Sequence, residues 1–356
     1  MKTKLLNHSF AGAAFAGAIL LLAVIFNAQA QYNYTSLYAP NSTGTYALGI
    51  SGTNIVGYYT YAGNDYGFLY NGSSYINLGM NTNAAGISGT NIVGSAMGQG
   101  FLYNGGTYTT FSVPGSDSTY AEGISGANIV GWYNDMSYNS HGYIYNYVSS
   151  NFTYLNVSGA AETYACGISG TNIVGYTTAA DGENVQSFLY NGISTNIFTV
   201  PGAIDTYACG ISGTNIVGYY NGSDYVAHGF LYNGISYYTN LNYPGADFTE
   251  ALGISGNNIV GFYSDTSAMY ARGFLATPAA LAAPPPLRIA GAQKSAGLVS
   301  LNLTWTNNGS QCLVASAGAL TGGWNTVSTP WTTNSGWVST IVTNSSTAQF
   351  YRLETP

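Results

Sequence analysis

A nine-residue phrase, Gly-Ile-Ser-Gly-x-Asn-Ile-Val-Gly, occurs six times in this chain, starting at Gly49, Gly86, Gly123, Gly167, Gly210 and Gly253. Successive starts are 37, 37, 44, 43 and 43 residues apart. Self-similarity at a period near 40 belongs to solenoids, propellers and related arrays, in which one small unit buries its apolar face only against its neighbours. Each unit here divides into four short runs rich in β-branched and aromatic residues, separated by Gly/Asn turns. In the fifth unit the runs are 208–212, 216–220, 229–232 and 237–241, with Gly213-Thr214-Asn215 and Asn233-Gly234 as tight turns. Such runs read as strands, and no segment carries a helical period. Four antiparallel strands in about 40 residues make a propeller blade.

The ends of the array set the blade count. The sixth unit stops after its third strand (273–276), and residues 34–38 form a lone strand-like run before the first phrase. If the two pair, the ring closes and leaves no open edge. The expectation is an all-β, six-bladed β-propeller with the N-terminal strand closing the last blade. Every first strand opens with Ala (47, 84, 121, 165, 208, 251), followed by Gly and Ser two and four residues on. Strict alternation would put these three small residues on one face, the crowded one nearest the axis.

The recurring phrases resemble the HAF family of extracellular bacterial repeats. The matching triplets are His141-Gly142-Tyr143 and His228-Gly229-Phe230, while Tyr66, Gln99, Gln186 and Arg272 occupy the His position in the other units. The resemblance covers about residues 34–277. It implies an exported, propeller-like protein and supplies no catalytic residues. The strand order is also similar to that of kelch blades.

Outside the repeats, residues 1–30 read as a secretory signal peptide. Lys2 and Lys4 form its basic start, an apolar run covers 11–26, and Ala28-Gln29-Ala30 gives the small-x-small cleavage pattern. No later apolar run is long enough to span a bilayer, so the mature chain (31 onward) is expected to be exported without a membrane span. Residues 31–278 form the propeller and 279–286 an Ala/Pro linker. Residues 287–356 alternate apolar and polar positions and form a small C-terminal β module, sandwich-like in pattern. Its Leu320-Thr-Gly-Gly-Trp-Asn-Thr-Val327 phrase and closing Phe350-Tyr-Arg-Leu353 resemble a module found on secreted proteins of Verrucomicrobia-type bacteria.

Only 5% of residues are charged, against about 25% in an average domain. Beyond the leader, four Lys and Arg face thirteen Asp and Glu. Nucleic-acid binding needs clustered cations to displace counterions, and none cluster here. Of the three cysteines, Cys166 and Cys209 hold the same repeat position, where they could pair or serve as small apolar side chains like Leu48, Ala85 and Leu252. Cys312 lies in the C-terminal module.

The acids sort by loop. Asp65, Asp135, Asp181, Glu183, Asp224 and Asp265 fall between second and third strands. Asp117, Glu162, Asp205, Asp247 and Glu250 fall at blade junctions. In a four-stranded blade both kinds of loop open on one face, so eleven of thirteen acids belong to it. His141, His228 and Arg272 begin third strands and share that face, and Tyr138 and Tyr225 sit on its loops. The ligand-binding candidates are therefore Asp135, Tyr138, His141, Asp224, Tyr225, His228, Asp265 and Arg272. Carboxylates and Tyr faces suit sugar hydroxyls and rings. A calcium ion is the cation such carboxylates would take, although no loop carries a full set of six to eight oxygens. The plainer alternative is a solvated face that is acidic because its loops are long. The expected role is non-enzymatic binding of an extracellular polysaccharide or cell-surface protein. A propeller-type carbohydrate-active hydrolase, with two carboxylates across a pocket, and a purely structural surface protein are the alternatives.

Overall fold

The computed structural model describes residues 32–179, 184–234, 237–238, 241–264 and 270–279, together with strand segments between 288 and 354. Residues 1–31, which include the expected signal peptide, and residues 280–287, which include all but the first residue of the expected linker, lie outside the described residues, as do Asp181, Glu183, Asp265 and Cys312.

The repeats form six four-stranded antiparallel sheets, five of them built in sequence order from first strand to fourth. Blades one to five cover residues 44–80, 82–111, 118–155, 162–198 and 205–238. Blade six holds Phe248–Ser255, Asn258–Ser264 and Arg272–Pro278, and its fourth strand is Tyr32–Leu37 from the N-terminal end. That strand pairs antiparallel with Arg272–Pro278, from Tyr32 opposite Pro278 to Leu37 opposite Gly273. The ring closes as the repeat count required.

Each blade buries one face of its own sheet against the next. Ala47, Ile50, Ile55 and Phe68 of blade one pack against Leu37 and Val260 of blade six. Val56 packs the other way, against Ala84, Ile87, Ile92 and Phe101 of blade two. The same Ile, Val and Phe positions recur around the ring, nearly all wholly buried. Apolar burial at blade interfaces, at about 25 cal/mol per Å², is thus distributed evenly around the ring.

The first strands depart from simple alternation. Each has a bulge between its Ala and its Gly (Ala47/Gly49 in blade one and its five counterparts). A bulge adds one unpaired residue and turns the residues after it to the other face. Ala47 therefore meets the preceding blade, its Cβ near Gly273, while Gly49 and Ser51 meet the following one. The shared small face expected from alternation is corrected accordingly. The glycines instead form a closed ring. A Cβ on Gly49 would lie 2.5 Å from the Ala85 carbonyl, and one on Gly253 would lie 2.6 Å from the Leu48 carbonyl. Ser51, Ser125, Ser169, Ser212 and Ser255 each accept the turn Gly N–H of the next blade at 3.0–3.1 Å.

Segments between 288 and 354 form two sheets. One joins Arg288–Ser295, Leu298–Thr306, Trp337–Asn344 and Trp331–Asn334, and the other joins Asn325–Thr326, Leu313–Ala317 and Phe350–Glu354.

Candidate functional site

The loops between second and third strands share a face with the blade junctions. Thr119 N–H donates to the Gly98 carbonyl of the preceding blade's loop, and Thr206 N–H likewise to Val185. The junctions are tied down by one repeated device. Thr45, Thr119, Thr163, Thr206 and Thr249 each accept, at 3.0–3.1 Å, the N–H six residues upstream. The face is a set of loops on a rigid frame, the arrangement in which binding residues are usually carried.

Two blades carry the same constellation on this face. In blade three, Asp135 accepts the N–H groups of Ser137 (2.7 Å) and Asn139 (3.0 Å), and its Oδ2 lies 3.3 Å from His141 Nε2. In blade five, Asp224 accepts Val226 N–H, and its Oδ2 lies 3.1 Å from His228 Nε2. The N–H and amide bonds from Asn139, with smaller contributions from Ser137 and His141, hold the Asp135 carboxyl down at about 2. Val226 N–H and then His228 lower that of Asp224. Asn242 Nδ2 lies 3.0 Å from His228 Nδ1 while its Oδ1 accepts Gly229 N–H. Nδ1 is then the acceptor, and Nε2–H donates to Asp224.

Beside each pair stands a tyrosine in the left-handed region. Tyr138 has φ 63° and is 72% exposed, and Tyr225 has φ 58° and is 79% exposed. Bulky residues are uncommon there. Each Asp–His pair, with the exposed tyrosine of its own loop, makes one of two separate stations, two blades apart. Arg272 holds the His position in blade six, opposite Tyr263, and Asp265 is outside the described residues. No group of three or more His, Cys, Asp or Glu positioned to hold a metal occurs among the described residues, so the calcium expectation finds no ligand set there.

The structure corrects the placement of one acid and adds another. Glu250 is not on the loops. It lies within a first strand and lines the central channel, a space of about 310 Å³, as does Glu122. The bulged residues Leu48, Ala85, Glu122, Cys166, Cys209 and Leu252 all line this channel. Burial raises the Glu122 carboxyl, which accepts a bond from Trp132 Nε1 at 3.1 Å, and pushes Glu250 up to about 7. Cys166 and Cys209 are both free thiols here, each donating to a carbonyl of its own strand. Burial holds both well above the ordinary thiol range.

Around the channel runs a belt of aromatic rings that were not among the sequence candidates. Tyr46 stacks on Tyr58 (4.5 Å), Tyr120 on Trp132 (4.0 Å), Tyr164 on Tyr176 (4.7 Å) and Tyr207 on Tyr219 (4.5 Å). Edge contacts link Trp132 to Tyr164, Tyr176 to Tyr207 and Phe262 to Tyr46 at 5.0–5.1 Å. The signal was present: an aromatic just before the first-strand Ala and another just after the second-strand Gly, paired in register.

No protein-family model matches the chain, and neither does any curated protein. Among solved structures it is similar to the β-propeller domain of the trilobed protease from Pyrococcus furiosus, at 11% identity and TM-score 0.44, covering 73% of this chain and 91% of that one. It is also similar to acylaminoacyl peptidase from Pyrococcus horikoshii (11%, TM-score 0.43), covering 78% of this chain and 60% of that one. A third likeness is to virginiamycin B lyase from Staphylococcus aureus (12%, TM-score 0.42), covering 69% of this chain and all of that one. The six-blade architecture rests on the strand pairing of this chain itself.

Proposed function

We propose that this protein is an exported, non-enzymatic binding protein that takes extracellular polysaccharide on the loop face of its propeller. The observation that carries this reading is the pair of Asp–His–Tyr stations in blades three and five. Each offers an ionised carboxylate, an imidazole held by hydrogen bonding and an exposed phenol ring. Tyr combines an apolar face with a polar tip, and fixed carboxylates accept hydroxyl hydrogens, so each station matches one sugar unit of a longer chain. Two stations on one rigid frame would also raise the apparent affinity for a polymer over that for its monomer. Export through residues 1–30 and kinship with HAF-type repeats belong to the same proposal.

The test is a polysaccharide array probed with the mature protein, with hydrolysis products followed in parallel. Tyr138→Ala with Tyr225→Ala should weaken retention at least tenfold while leaving the melting temperature unchanged or higher, since both positions lose backbone strain only in part and bury little. Asp135→Asn with Asp224→Asn should weaken it as well. Equal retention by all variants would overturn the reading.

A second reading, carbohydrate hydrolysis, is favoured by one observation: Glu122 and Glu250 both line the channel with raised carboxyl pKa values, as a general acid requires. Release of oligosaccharides that disappears in Glu122→Gln or Glu250→Gln would establish it.

A further inference from the structure

The belt of stacked rings is missing from blade two. At the level where blades one, three, four and five pair two rings, blade two pairs Asn83 with Ser95. The junction entering blade two is also the shortest, passing from Met80 to Thr82 through one residue. The absent rings leave a cleft of about 320 Å³ lined by Tyr58, Asp65, Asn83, Ser95, Met97 and Tyr120, among others. Ligand sites begin at roughly this size.

We propose that this cleft binds a single neutral pyranose ring, held between Tyr58 and Tyr120, with its hydroxyls on the Asn83 amide and the Ser95 hydroxyl. The proposal rests on the loop face being a carbohydrate surface and gives that surface a pocket separate from the two Asp–His–Tyr stations.

Three observations support it. First, the walls are set before any ligand arrives. Tyr58 is backed by Tyr46 with the rings 13° from parallel, and Tyr120 by Trp132 at 18°. Rings already immobilised lose little freedom on binding. Second, the lining has unmet hydrogen-bonding capacity. Asn83 Oδ1 is shut off from solvent and has no hydrogen-bond partner. Asn83 itself lines the cleft, and the terminal torsion of Asn is broad. Ser118, behind the Gly98 wall, likewise keeps a buried Oγ without a partner. Third, the cleft is selective by charge. Asp65 lines it and no cation does, so an acidic sugar would meet repulsion. A purely apolar ring would leave Asn83 and Ser95 without partners. A hydroxyl-bearing neutral ring meets both conditions.

The repeats themselves supply the test. Asn83→Tyr with Ser95→Tyr writes into blade two the pair that blades one, four and five carry, so the filled variant is built from parts this fold already accommodates. The probes are the methyl pyranosides of glucose, galactose, mannose and N-acetylglucosamine, each followed by saturation-transfer NMR against the full mature chain. At least one should give transfer in the parent protein, reduced at least tenfold in the filled variant, whose melting temperature should match or exceed the parent's. Should the double variant not fold, Ser95→Tyr alone occupies the same space and should cause the same loss. Transfer that survives filling, or no transfer from any of the four in the parent, would overturn the proposal. The two readings separate cleanly. Polysaccharide retention that vanishes in Asp135→Asn with Asp224→Asn, while monosaccharide transfer survives filling, supports the stations and overturns the pocket. Monosaccharide transfer that survives those Asn changes while array retention is absent supports the pocket and overturns the stations.

Discussion

Two glycines three residues apart separate crowding from backbone conformation. A Cβ at Gly86 would lie 2.6 Å from the Glu122 carbonyl and 3.0 Å from Gly123 Cα, both backbone atoms that cannot swing aside. At Gly89 the same atom would meet nothing within 4 Å, but φ is +61°. Gly86→Ala should therefore cost more than the roughly 1–3 kcal/mol usual for overpacking. Gly89→Ala should cost only about 1–2 kcal/mol, from left-handed strain. Thermal or urea melts of both variants check the order. Glu250 gives a pH signature. Its folded pKa of about 7 lies above the ordinary 4.5, so the folded state holds the proton more tightly. Below pH 4.5 both states are protonated and there is no penalty. As pH climbs towards 7 the unfolded chain releases its proton first, and stability falls by at most about 3 kcal/mol. Above 7 it levels off. Glu250→Gln should flatten that fall and be the more stable protein at pH 8. Asp135 acts with the opposite sign: its contribution is present above about pH 4 and lost as pH drops towards 2. Sequence showed these acids as a list sorted by loop. It could not show that Glu250 lies inside the channel, because the turn from junction to strand comes only two residues earlier.

The strand that closes the ring carries more than its length suggests. Leu37 is 4% exposed and packs with Ala47, Ile50 and Phe68 of blade one, so it locks blade six to blade one as well as completing blade six. Removing residues 31–40 should strip that contact and bare the whole edge of Arg272–Pro278, a template for intermolecular pairing. The expected outcome is aggregation or a fall of more than ten degrees in melting temperature, read by light scattering during a thermal scan. Leu37→Ala alone should cost about 2–5 kcal/mol. This element was legible in advance, because a three-stranded unit at one end and an orphan strand at the other admit one economical solution. The bulge in each first strand was not. Ala-x-Gly-Ile-Ser alternates perfectly on paper, and only the approach of the neighbouring inner strand, 2.5–3.0 Å from each glycine's missing Cβ, shows why one residue must step out of register.

At the scale of the whole ring, repetition made the fold readable and departures from repetition point to the candidate sites. Five junction threonines, five serine-to-turn bonds and four ring pairs are the regular parts. The stations of blades three and five and the cleft of blade two lie where the pattern changes. Sequence marked the first two through Asp135, His141, Asp224 and His228. It passed over Asn83 and Ser95, which look unremarkable until the rings they replace are seen in space. The closure has a mechanical corollary. Tyr32 and Pro278 face each other at one end of an antiparallel pair, on the side of the ring away from the 2–3 loops, so the polypeptide enters and leaves the propeller at a single mooring point. Tension between those two exits would open the pair from Tyr32 towards Leu37 one bond at a time, as a zipper, instead of loading all its bonds together in shear. The ring should therefore part at low force when pulled from these two residues.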